Sequence, residues 1–184
     1  LDITTVTSMS SSAVNTFGGS PYWVGALGRG FIQGMREGSL NQIAIIARHF
    51  PGMGSSDRTL DDEIATVQKP SERLYAEDVA PYFAVTKPNL PGEADGLMTT
   101  HLRYRALQGN VRQSTRPLSL DAQSLPALLN LPDLAAWRQD GGIIVSDELG
   151  APALRRFYEQ QAGSFPARTV ARDALNAGND LLFL

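Results

Sequence analysis

Gly142-Ile143-Ile144-Val145-Ser146-Asp147-Glu148-Leu149 sets three branched apolar residues, then one serine, before a pair of carboxylates. Apolar side chains on consecutive positions, rather than alternating ones, belong to a strand covered on both faces, as in a parallel sheet flanked by helices. Three further runs read the same way: Ile43 to Phe50, Gly96 to Leu102 and Asp180 to Leu184. A weaker opening strand is expected at Leu1 to Val6.

Helical patterns separate the runs. Pro21 to Gly38 carries Val24, Leu27, Phe31 and Met35 at three- and four-residue spacing, with Ser20 placed to cap it and Pro21 suited to its first turn. Ser71 to Thr86 is a second helical stretch, kinked or restarted at Pro81. Others are expected over Ser119 to Trp137, Ala151 to Gln161 and Pro166 to Ala177, the last ended by Gly178. Strand, helix, strand without adjacent hairpins implies right-handed crossovers and a parallel sheet, hence an α/β fold. No glycine fingerprint for a dinucleotide follows any strand, so a (β/α)8 TIM barrel is preferred to a doubly wound sheet. A complete barrel takes about 250 residues. The reading is therefore one domain over 1–184, the C-terminal portion of a barrel whose first strands, and anything after residue 184, lie outside it.

Bulk properties narrow the function. The net charge of -3, from 16 basic and 19 acidic residues, offers no field for a phosphate backbone, so no nucleic-acid partner is expected. No apolar run approaches the roughly 20 residues of a membrane span, so no membrane insertion by this segment is expected. The absence of cysteine removes thiolate chemistry and leaves the compartment undecided. Lys69 and Lys87, the only lysines, lie away from strand ends, which argues against Schiff-base chemistry.

Catalytic side chains of a barrel sit where its strands end. Arg48 with His49, His101, and Ser146 with Asp147 and Glu148 occupy those ends, and both histidines of the chain fall among them. Asp147 reads either as a cap for the next helix or as a carboxylate at the barrel mouth, and the rim position favours the second. Arg48 and His49 fit an ion pair and hydrogen bonds at a strand end as well as they fit ligand binding. A metal-dependent hydrolase with His49, His101 and Asp147 as ligands is an alternative, disfavoured because two histidines and one carboxylate make a sparse site and no His-x-His pair sits on one strand.

Five motifs then resemble glycoside hydrolase family 3 in collinear order. Arg48-His49-Phe50-Pro51-Gly52-Met53-Gly54 resembles its Lys-His-Phe-Pro-Gly-His-Gly signature, and Thr16-Phe17-Gly18-Gly19 resembles its Arg-Ser-Phe-Gly turn. Leu97 to Tyr104 resembles the Met-Thr-Ala-His-Ile strand, Ile144 to Leu149 the Val-Ser-Asp-Asp-Leu nucleophile motif, and Ala177-Gly178-Asn179-Asp180 the Ala-Gly-Asp-Asp strand entry. The resemblance implies a retaining, exo-acting β-glycosidase of β-N-acetylhexosaminidase or β-glucosidase type, acting on an oligosaccharide or glycoconjugate without metal or organic cofactor. Asp147 takes the nucleophile's place, Arg48 and His49 that of the pair that hydrogen-bonds sugar hydroxyls, and Met98 and His101 stand beside them as substrate-binding positions. A further C-terminal domain of the same full-length chain is also implied.

The departures are specific. The family's β-N-acetylglucosaminidases carry an Asp-Ser-His acid/base after the Phe-Pro-Gly turn, whereas Ser55 to Glu63 holds no histidine. Met53 replaces the turn histidine, Asn15 an arginine that grips substrate, and Arg48 a lysine. With a two-residue insertion, Asp61-Asp62-Glu63 falls on the missing triplet and puts Glu63 where the proton donor stands; the family's β-glucosidases take their acid from another domain. The losses make a non-catalytic sugar-binding barrel the second reading.

Overall fold

The computed structural model describes residues 1–3, 16–56 and 63–184. In chain order the elements are α1 (Pro21–Gly38), β1 (Ile46–Phe50), β2 (Thr66–Val67), α2 (Ser71–Arg73), a π-helical segment (Leu74–Val79), α3 (Ala80–Val85), β3 (Gly96–Thr99) and β4 (Arg103–Tyr104). They continue with α4 (Arg105–Gln108), a 3-10 turn (Leu118–Leu120), α5 (Ser124–Leu129), α6 (Pro132–Gln139), β5 (Ile143–Val145), α7 (Pro152–Ala162) and α8 (Ala167–Asn176). The expected opening strand lies partly, and Asn15, Asp61 and Asp62 wholly, outside the described residues. No helix among the described residues is long and apolar enough to cross a membrane.

β1, β3 and β5 form one parallel sheet in the order β1-β3-β5. The expected α/β architecture is thus present, with strands shorter than the apolar runs that announce them. Ala47, Leu97 and Ile144 stand level across the sheet and enter a core with Phe50, Tyr82, Leu125 and Trp137. Arg48, Met98 and Val145 are also level, one residue on, so the strand pleat turns them to the opposite face. The fourth run falls short of a strand: Leu181 makes a single parallel bridge to Val145, although the amides of Ser146 and Leu149 donate to the carbonyls of Leu181 and Phe183. Leu181, Phe183 and Leu184 remain exposed, because no described strand pairs with their outer edge.

α1 spans the expected residues but turns a different face inward. Val24, Gly25, Gly28 and Ile32 are buried, while Leu27, Phe31 and Met35 are exposed. The cause is close helix packing through glycine: a Cβ on Gly25 would lie 2.8 Å from that of Ala84 on α3, and one on Gly28 would strike Leu1. Ser20 occupies the cap position without a side-chain hydrogen bond. Pro81 sits in the first turn of α3 and marks a restart, whereas Ser119 to Trp137 is divided among a 3-10 turn, α5 and α6. β2 and β4 pair in parallel as a separate two-stranded sheet that two-residue strands do not announce in sequence.

Candidate active site

Parallel pairing puts the C-terminal ends of β1, β3 and β5 on one edge of the sheet, and with them Arg48 and His49, His101, and Asp147. Arg48 is exposed, and His49 and Asp147 are half-buried. A register shift between Arg48 and Phe50 leaves His49 without a ladder partner. Phe50 drops into the core instead, edge-to-face on Tyr82 with ring centroids 5.1 Å apart, anchoring the strand from which the pair projects.

The turn after β1 is held from three sides. The Tyr104 hydroxyl donates to the Gly52 carbonyl at 2.7 Å, the Met53 amide donates to Asp2 Oδ1 at 2.7 Å, and the Ser55 hydroxyl donates to Asp78 Oδ1 at 3.2 Å. Asp78 is itself paired with Lys69, 2.6 Å away. Burial pushes the Asp78 carboxyl up, and the Lys69 ammonium opposes that shift. Met53 packs against the core, so the residue replacing the turn histidine lends its side chain to packing and its amide to the turn.

Asp147 follows β5, and its Oδ1 accepts the Glu148 amide at 3.0 Å. His101 is buried behind it, with Nδ1 2.6 Å from Ser119 Oγ and Nε2 3.0 Å from the Glu148 carbonyl oxygen. Both ring nitrogens are therefore committed to protein partners, an arrangement that supports the Asp147 loop and differs from the expected presentation to a sugar. Burial lowers the His101 pKa, opposed by the negative charge of Asp147. Next to it Asn179 donates to the carbonyls of Ser119 and Ala174 at 2.8 and 2.7 Å and accepts the Thr99 hydroxyl at 3.0 Å, fastening β3 to the chain before Leu181. Met98 is half-buried on the same sheet face as Arg48.

Glu63 stands apart from these residues. It is exposed, at a cleft of about 790 Å³ also lined by Thr66, Arg103, Arg105, Arg112 and Gln113, and neither Asp147 nor His49 lines that cleft. The buried Arg103 fork donates to the carbonyls of Ile64, Gln113 and Thr115, so it braces the segment that carries Glu63. Among the described residues no three His, Asp or Glu side chains are placed to hold a metal ion, so the alternative set of His49, His101 and Asp147 is not assembled. Asp2 and Ser119 escaped the sequence reading, and Asn179 entered it only as part of the Ala177-Gly178-Asn179-Asp180 motif, with no role of its own. For Asp2 the signal was a lone carboxylate between Leu1 and Ile3 in an apolar opening; Ser119 carries none.

The profile described as the glycosyl hydrolase family 3 N terminal domain matches residues 1–184. A beta-hexosaminidase of Hydrogenovibrio crunogenus is 27% identical over 176 residues, covering 91% of this chain and 40% of that protein. One from Methylococcus capsulatus is 30% identical over 166 residues, covering 90% and 42%. Among solved structures, a glycoside hydrolase family 3 beta-N-acetylglucosaminidase from Paenibacillus sp. superposes with TM-score 0.77 at 26% identity, over 100% of this chain and 30% of its own. The beta-N-acetylglucosaminidase from Thermotoga maritima superposes with TM-score 0.70 at 22% identity, over 100% and 33%, and so bears on the fold alone. The chain spans less than half the length of each of these proteins.

Proposed function

Because the chain belongs to glycosyl hydrolase family 3, matching its N-terminal domain throughout, we propose that it supplies barrel strands and the nucleophile of a retaining, exo-acting β-glycosidase. The substrate is a terminal β-linked N-acetylhexosamine, in preference to glucose, on an oligosaccharide or glycoconjugate. The relatives named beta-hexosaminidase support that preference. The single observation carrying the reading is the parallel order β1-β3-β5, which brings the strand ends bearing Arg48, His49 and Asp147 to one edge.

In this reading the Asp147 carboxylate attacks the anomeric carbon while the bond to the leaving oxygen breaks, and an acid protonates that oxygen. Water then attacks the glycosyl ester, giving its proton to the conjugate base and freeing Asp147. Arg48 and His49 grip the sugar hydroxyls, and Met98 lies on the same sheet face as Arg48. Glu63 is the acid within this chain, and a domain outside these residues is its rival for that role. The test is turnover of aryl N-acetyl-β-glucosaminides and β-glucosides by the full-length polypeptide, with release of the β-anomer followed by NMR. An α-anomeric first product would overturn the retaining mechanism.

The absence of a histidine from Ser55 to Glu63, with Met53 in the turn, favours one second reading, a barrel that binds sugar without cleaving it. Saturable binding of N-acetylglucosamine with no turnover of any activated glycoside would select it.

A further inference from the structure

Asp2 is 8% exposed and uses both carboxylate oxygens. Oδ2 lies 3.0 Å from Nδ1 of His49, and Oδ1 accepts the Met53 amide at 2.7 Å. The Leu1 backbone nitrogen meets the Arg48 carbonyl, which seats Leu1–Ile3 along β1. The turn closes over this segment at Gly54, where a Cβ would fall 1.8 Å from the Ile3 carbonyl oxygen. One carboxylate thus joins the side chain at the end of β1 to the backbone of the turn that follows.

Burial opposes ionisation of Asp2, but the hydrogen bonds from His49 and the Met53 amide help hold its carboxyl below the usual carboxylate value. An ionised carboxylate only accepts, so the proton between the two residues belongs to Nδ1 of His49. In the tautomer whose single ring proton sits on Nδ1, Nε2 presents a lone pair, and Nε2 has no protein partner among the described residues.

We propose that Asp2 is a positioning residue for His49, fixing the ring orientation and the Nδ1–H tautomer so that Nε2 accepts a hydrogen bond from a sugar hydroxyl. This rests on the reading of His49 as a sugar contact. Asp2→Asn is close in shape and keeps an amide oxygen for the Met53 amide, but it turns an NH2 donor toward Nδ1. The proton then moves to Nε2, which becomes a donor where an acceptor was required.

The experiment compares the full-length polypeptide with Asp2→Asn, His49→Ala and the double variant. Proton–nitrogen NMR of the His49 ring, assigned by its loss in His49→Ala, is expected to show Nδ1–H in the parent and Nε2–H in Asp2→Asn. Asp2→Asn is expected to raise KM and lower kcat/KM about 10- to 100-fold, the range typical of residues that orient a binding group. In the His49→Ala background it should change nothing further. An unchanged tautomer, unchanged kinetics, or an equal loss with and without His49 would each overturn the proposal. If no glycoside is turned over, the functional reading fails while the NMR arm still decides whether Asp2 sets the tautomer.

Discussion

Nε2 of His101 lies 3.0 Å from the carbonyl oxygen of Glu148, so a buried imidazole grips the peptide next to Asp147. A carbonyl only accepts, which places the ring proton on Nε2 and leaves Nδ1 to accept from the Ser119 hydroxyl 2.6 Å away. Burial lowers the His101 pKa from its ordinary 6.5, with Asp147 opposing. The unfolded chain therefore binds this proton more readily than the folded one, so its contribution is full above about pH 6.5 and is lost as pH falls toward the folded value. The melting temperature is expected to drop between pH 7.5 and 5, and His101→Leu should start lower, by about 1–3 kcal/mol for the orphaned Glu148 carbonyl and Ser119, and be flatter over that interval. A pH slope identical in His101→Leu would assign the effect to other groups.

Asp147 touches the protein lightly, through the Glu148 amide at 3.0 Å, and its side chain is half-buried. Asp147→Asn keeps an oxygen for that amide and removes the nucleophile. It is expected to cut kcat by at least about a thousandfold with a melting temperature within about 2 °C of the parent. A mechanism-based fluorosugar should label Asp147 in the parent, as read by peptide mass spectrometry. A label on Glu148 would move the nucleophile by one residue.

What the sequence made legible were features that a local pattern encodes. Consecutive apolar residues marked β1, β3 and β5, because strands covered on both faces need no alternation. The face of α1 was misread since Leu27, Phe31 and Met35 keep helical spacing, yet contact with α3 is decided by the glycines that let the backbones approach. Strand ends located Asp147 and the Arg48–His49 pair. Periodicity is silent on contacts between distant segments. Asp2 reaches His49 across 47 positions, and Asn179 reaches Thr99 across 80, so both required the folded chain.

Gly142 opens β5 against the face of Trp137, whose indole N–H donates to the Ala94 carbonyl at 2.9 Å. A Cβ at Gly142 would lie 2.2 Å from the indole ring, and Trp137 is only 1% exposed, so the ring has nowhere to retreat. Gly142→Ala is expected to destabilise by about 1–3 kcal/mol through overpacking, and Trp137→Ala by about 3–5 kcal/mol through the cavity it leaves. Urea denaturation measures both. A neutral Gly142→Ala would mean that β5 shifts freely, contrary to its pairing with β3.

Glu63 carries the most exposed prediction, because it is the carboxylate that the motif alignment brings to the place of the family's missing histidine. It sits at the mouth of the cleft beside Arg103, whose bonds to Ile64, Gln113 and Thr115 brace the adjoining chain. A retaining enzyme requires its two carboxyl groups about 5–5.5 Å apart in the reacting complex, so a donor role demands that Glu63 approach Asp147 when substrate binds. Leaving groups report whether it does. A poor leaving group needs protonation for its bond to break, whereas a nitrophenolate departs without it. Glu63→Ala should therefore slow methyl or oligosaccharide glycosides by about 10²–10⁴-fold and spare glycosylation by dinitrophenyl glycosides. Azide, a nucleophile that needs no base, should then restore turnover on the activated substrate and yield the β-glycosyl azide. Equal losses on both substrate classes, with no azide product, would take the acid away from Glu63 and assign it to a part of the protein outside these 184 residues.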